Sequence, residues 1–396
     1  MPLLAPVIKA AHTRKETIRS ALQPAQLAAW RSALMARWWR PLPAVPGANG
    51  GRGGLGRTIH VAVDGTSHSI ELSTGAHFVL AAAAAAGPHP VGQRDAADME
   101  VVPARYEVAD AATARDLMMQ VLEALMAGEA ASALIQEDLG QRAILWLDGS
   151  IHGSLTHLLG APSQLLDDRP SPTTSRGTTR WMVNVERAIT LLRVKARLLE
   201  LAAQHDLWLI GLAKTQRASF LFDALAATPE GMTRTERAAD GELLAAAPIG
   251  WSWPLVLDGR HFVAVTAAAR DALAGAPAIV SCYVRPHAAD LPLRVDVPAA
   301  TLGLDDRLLP SAQGGEPRPI PSWLPDPDLM TPVIRAVLAS YGGVHAYNAP
   351  LFAVDRLVRL SRREIETRYL PICAKVIGVD PKALSVDRGR RRFLMD

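Results

Sequence analysis

Two cysteines, Cys282 and Cys373, are all that this 396-residue chain contains. So sparse a pair excludes a disulfide framework and cannot by itself build a zinc site, so free thiols in a reducing compartment are expected. Long apolar runs are missing too. The nearest, "HFVLAAAAAAG" (77–87), is mostly alanine and falls short of the roughly 18–20 residues that span a bilayer. Near the N-terminus, Lys9, Arg14, Lys15 and Arg19 lie in an amphipathic pattern without the apolar core of a secretory signal. A soluble, cytoplasmic protein is the expectation. Charge of one sign is scarce as well: a net +3 is a weak electrostatic argument for nucleic acid. The excess gathers in "GANGGRGGLGR" and in the tail, "RLVRLSRREIETR" and "DRGRRRF", which read as solvated surface or as phosphate contacts. The glycine-rich stretch lacks P-loop spacing, and His60, His68, His77, His152 and His287 show no HExxH pattern.

What is present is a substantial core, with 49% hydrophobic residues. Leu22, Leu27, Trp30, Leu34 and Trp38 recur at helical spacing until Pro41, Pro43 and Pro46 stop the pattern. This predicts an N-terminal helical arm and a Gly/Pro-rich joint over 1–50, followed by one domain over 51–396. Within the domain, "IHVAVDG", "SHSIELSTG" and "AHFVLAAAAAAG" predict an antiparallel meander, with "ARYEVAD" as a further strand. A helix is predicted from Ala111 to about Gln136, then a buried strand in "RAILWLDG", then a helix over 181–204 and a strand in "LWLIGLAKT". Polar insertions are expected near 165–180 and 224–250. "IVSCYVRPH" and "LRVDVPAA" predict late strands, and a final helical region covers 330–380. The fold class is α/β, a mixed sheet flanked by helices.

Two of these strands end on aspartate, in "VAVDGTS" and, 84 residues later (148 − 64), in "LWLDGSI". An anion is costly to bury alone, and two of them repel. At the mouth of a central strand they would sit where ligands of open α/β sheets bind, and a hard divalent ion between them would relieve the repulsion. Each Asp-Gly is also an ordinary turn.

Together "VAVDGTS", "LWLDGSI", "LIGLAKTQ", "CYVRPH" with "LRVDVP", and "YNAPLFAVDRLVRLS" resemble, in order, the motifs of NurA nucleases over roughly 58–370. The resemblance implies an RNase H-like fold and a nuclease dependent on Mn²⁺ or Mg²⁺. It implies 5′–3′ exonuclease and single-strand endonuclease activity on DNA, a homodimer, and a HerA-like hexameric ATPase as partner. It implies Asp64 and Asp148 as metal ligands. It also implies a glutamate a little under twenty residues before Asp148: Glu129 (148 − 129 = 19) is the choice and Glu123 (148 − 123 = 25) the rival. Lys214 matches the family lysine and would neutralise a phosphate, with Arg285 as a weaker phosphate contact. Tyr347 matches a catalytic tyrosine. Asn348 stands where the family has proline, and Asp355 where it has histidine, leaving a fourth metal ligand of harder chemistry.

Two other readings belong to different classes. A catalytically weak subunit that binds and regulates a HerA-like ATPase would explain the altered Asn348 and Asp355. "VAVDGTSHS" is also similar to the first phosphate motif of actin-like ATPases, but the second and third glycine-rich phosphate loops are missing.

Overall fold

The structure is a computed structural model describing residues 4–15, 27–44, 58–106, 108–137, 141–160, 183–214, 217–227, 238–257, 271–308, 321–380 and 384. The glycine-rich joint and the insertion expected near 165–180 lie outside these residues, as does part of the one near 224–250.

Helices α1 (Leu4–Thr13) and α2 (Leu27–Arg37) precede a short strand β1 (Trp39–Arg40). Next come β2 (Ile59–Glu71), β3 (His77–Ala86), β4 (Gln93–Val102), α3 (Val108–Gln136), β5 (Ala143–Asp148), α4 (Ile151–Gly160), α5 (Val183–Gln204) and β6 (Trp208–Ala213). The chain continues through α6 (Phe220–Ala226), α7 (Asp240–Leu244), β7 (Gly250–Ser252), β8 (Leu255–Leu257), β9 (Ile279–Arg285), β10 (Leu293–Pro298) and β11 (Ser322–Trp323). It closes with α8 (Thr331–Ala339), α9 (Ala349–Val358) and α10 (Arg362–Glu364), which runs through a π-helical turn (Ile365–Tyr369) into α11 (Leu370–Ile377).

One mixed sheet organises these elements in the order β1-β7-β9-β10-β6-β5-β2-β3-β4, with β8 and β11 off its main path. Its centre, β2-β5-β6, is parallel, while β3 and β4 complete an antiparallel meander. Side chains alternate between faces. Val61, Val63, Leu145 and Leu209 face α3 and α5, whereas Ala62, Ile144, Trp146 and Ile210 face α8 and α9. Beside them on β3, Ala81, Ala83, Ala84 and Ala85 are fully buried. Alanine is a weak strand former, but its small side chain lets helices approach the sheet closely on both faces.

Helix α3 is long and apolar enough, by length and composition, to cross a membrane. Its apolar residues Leu117, Met118, Leu122 and Ala127 pack instead into the core between the sheet and α5. Each fully buried leucine there contributes about 1.5–3 kcal/mol.

Two boundaries differ from expectation. The first two expected strands are one: β2 runs through Asp64 and Gly65 because β3 stays paired with it from Ala62 to Glu71. "ARYEVAD" is no strand; the meander's last strand is β4, and α3 begins at Val108. In the expected arm, Leu27, Trp30 and Leu34 of α2 are buried against α6 and α7, with the Trp30 ring 4.4 Å from that of Phe222.

Candidate functional site

The parallel pairing of β2 with β5 ends at Val63 and Leu147. One residue later, Asp64 on β2 keeps only β3 as a neighbour, while β5 stops at Asp148 and turns at Gly149 with φ +99°. The left-handed backbone favours glycine there. So Asp64 lies mid-strand rather than at a strand end, and the crevice opens because its neighbour stops. By alternation Asp64 and Asp148 share the sheet face of Ala62 and Trp146, the face covered by α9.

Asp148 is held at both oxygens. The Lys214 ammonium, just past β6, donates to Oδ2 at 3.1 Å, and the Tyr347 hydroxyl donates to Oδ1 at 2.9 Å. The Lys214 Nζ also lies 4.3 Å from the centre of the Tyr347 ring, so the three form one clamp. Burial, followed by the negative charge of Asp148, raises the Tyr347 hydroxyl far above its usual value.

Asp64 is 6% exposed. Burial first, and then the charge of Asp148, push its carboxyl up to about 7, with a smaller push from Asp355 and partial relief from the Gly65 N–H and Lys214. Asp355, on α9, therefore stands close enough to be felt at the site, and Arg359 lies 3.9 Å from its Oδ2. Asn348, where proline was the family pattern, caps α9: it is fully buried and its Oδ1 accepts the Leu351 N–H at 2.9 Å.

The glutamate that joins the aspartates is Glu123. It reaches in from α3, over the opposite face, and lies against Gly65, where a Cβ would stand 2.6 Å from its Oε1. The bare backbone of Gly65 is what admits it. Burial raises the Glu123 carboxyl, Asp64 and Asp148 raise it further, and Lys195 on α5 opposes them. Burial in turn lowers Lys195, whose ammonium donates to Gln120 Oε1 at 3.5 Å. Glu129 is elsewhere, half-exposed and 3.8 Å from Arg94 on β4. Arg285 also stands apart: its guanidinium donates to the carbonyls of Ala247 and Ala288 and so braces a loop.

Asp64, Glu123, Asp148, Lys195 and Lys214 line a cleft of about 1180 Å³ between α3, α5 and the ends of β2, β5 and β6, continuing past Arg217 and Phe220. That is ample for a nucleotide, since small-molecule sites span about 300–1,000 Å³. Among the described residues no three His, Cys, Asp or Glu side chains form a ready-made chelate. The donor set nonetheless suits a hard divalent ion: oxygen ligands only, two of them with protonation raised by burial and, less, by neighbouring negative charge.

Sequence and fold comparisons point the same way. The family model described as the NurA domain matches residues 59–360. No curated protein matches the chain. Among solved structures, the NurA nuclease from Sulfolobus solfataricus is similar with a TM-score of 0.55 at 12% identity, covering 94% of this chain and 97% of that one. A NurA structure with manganese gives 0.54 at 12% identity, with 98% and 100% covered. Another, bound to dAMP and manganese, gives 0.54 at 13% identity, with 92% and 97% covered.

Proposed function

This chain belongs to the NurA family, and from that premise we propose that it is a metal-dependent DNA nuclease that processes the ends of linear DNA, cutting in the 5′–3′ direction and, as an endonuclease, within single strands. The observation that carries this reading is the convergence of Asp64, Glu123 and Asp148 in one cleft with the Lys214–Tyr347 clamp. The NurA structures that contain manganese, one of them also dAMP, support the same chemistry.

Asp64, Glu123 and Asp148 would hold Mn²⁺ or Mg²⁺, with Asp355, whose charge is felt at Asp64, as a further candidate ligand. A bound ion of this kind activates water and offsets charge on the scissile phosphate. The other residues prepare the site. Tyr347 orients Asp148 and keeps its proton at neutral pH, so its hydroxyl remains a donor. Lys214, held beside Asp148, would be the point charge that meets a phosphate oxygen. We further propose, from the family resemblance, that the protein works as a homodimer beside a HerA-like hexameric ATPase.

The test is cleavage of end-labelled linear DNA, single-stranded and duplex, with Mn²⁺, Mg²⁺ or EDTA. Mn²⁺-dependent loss of nucleotides from 5′ ends, silenced by EDTA, is expected. DNA left intact by the pure protein, alone and with a HerA-like ATPase and ATP, would overturn the nuclease reading. It would favour a binding subunit, the role suggested by aspartate at 355 and by Lys214's hold on Asp148.

A further inference from the structure

Of the motif "LRVDVP" only Arg294 lines the cleft, yet the motif supplies the most completely bonded carboxylate among the described residues. Asp296 on β10 is fully buried. Its Oδ1 accepts the Ser281 hydroxyl at 2.7 Å and Arg294 Nε at 2.8 Å, and its Oδ2 accepts Arg294 Nη2 at 3.2 Å. Oδ2 accepts two further donors from across the sheet: the Ser150 hydroxyl at 2.6 Å and the His152 N–H at 3.1 Å. Ser150 and His152 belong to the turn that follows Asp148.

The register explains how a strand two places away reaches that turn. Ser281, Asp296, Gly211 and Leu147 oppose one another across β9, β10, β6 and β5. Gly211 is the gap in this row. A Cβ there would lie 2.8 Å from both the Gly149 carbonyl oxygen and Ile151 Cγ1. The turn after Asp148 folds down onto the bare backbone of β6, tied by the Gly149 N–H to the Leu212 carbonyl at 2.7 Å, and so comes within reach of Asp296. Ser150 meanwhile accepts the Gly153 N–H at 2.7 Å and starts α4.

We propose that Asp296 is a positioning residue for Asp148: braced by Arg294 and Ser281, it fixes the turn at Ser150 and His152 and thereby sets the direction of the Asp148 carboxylate. Outer partners of this kind typically govern about 10–100-fold in metal affinity or activity. The inference rests on the nuclease reading, because Asp148 must be a ligand for its direction to matter.

Mn²⁺ binding by titration calorimetry, with kcat and KM for DNA cleavage, tests it on Ser150→Ala, Ser150→Thr and Asp296→Asn. Ser150→Ala is expected to fold, to bind Mn²⁺ about 10–100-fold more weakly, and to lose kcat with KM for DNA unchanged. Ser150→Thr keeps the hydroxyl and should restore both. Asp296→Asn should weaken Mn²⁺ at least as much, and if it fails to fold, the serine pair decides. A wild type that binds and cuts beside a Ser150→Ala variant with equal Mn²⁺ affinity overturns this inference alone. A wild type that binds neither Mn²⁺ nor Mg²⁺ and leaves DNA intact overturns the nuclease reading and this inference with it.

Discussion

Asp64→Asn is expected to cut metal-dependent cleavage by at least ~10³-fold, several kcal/mol of transition-state stabilisation, while making the metal-free protein more stable at pH 8. The second half follows from the site's electrostatics. The Asp64 carboxyl stands at about 7 in the folded protein, against an ordinary 3.8, because burial and Asp148 disfavour its charge. The folded state therefore binds this proton more tightly than the unfolded chain does. Below the ordinary carboxylate value both states are protonated and nothing is lost. As pH rises toward 7 the unfolded chain ionises first, and stability falls across that window. Asparagine cannot ionise, so the variant escapes the loss, worth on the order of 1–3 kcal/mol. Urea melts in EDTA at pH 3 and pH 8 measure this. Equal stability at pH 3, below the ordinary 3.8, and a more stable variant at pH 8 are predicted; a variant less stable at pH 8 would show that Asp64 is not electrostatically strained.

The second large effect separates two glutamates six positions apart on α3. Glu123→Gln should lose at least ~10²-fold in kcat, whereas Glu129→Gln should stay within about twofold of wild type. Glu123 lies over Gly65 beside both aspartates, and Glu129 meets only Arg94 at 3.8 Å, an exposed pair worth about 0–1 kcal/mol. Steady-state cleavage by the two variants decides the matter, and a dead Glu129→Gln beside an active Glu123→Gln would reverse the assignment.

The same pair marks where sequence reasoning stopped. Asp64 and Asp148 were legible as a pair: one Asp-Gly after an apolar run is an ordinary turn, but two such strands in one chain are a signal. Lys214 and Tyr347 were legible only through motif resemblance, and the structure brings both to Asp148. Glu129 was preferred on spacing alone, which ignores geometry. From Ala143 to Asp148 the strand climbs roughly 17 Å at ~3.3 Å per residue. Helix α3 runs the other way at ~1.5 Å per residue, so from Gln136 back to Glu123 it covers about 20 Å, but back to Glu129 only about 10 Å. Glu123 is thus level with Asp148, and Glu129 falls beside mid-strand. That estimate needed only element boundaries. Arg285 could not have been placed in this way, since its partners Ala247 and Ala288 come from loops whose path no periodicity encodes. Nor could Asp296, whose role depends on the gap at Gly211 two strands from Leu147.

The most direct test of the account is the position of Mn²⁺ in a crystal of this protein, located by its anomalous scattering. An ion in bonding contact with Asp64, Glu123 and Asp148 is predicted, with nothing at Glu129. An ion bound away from these carboxylates, in a protein that cuts DNA, would contradict it.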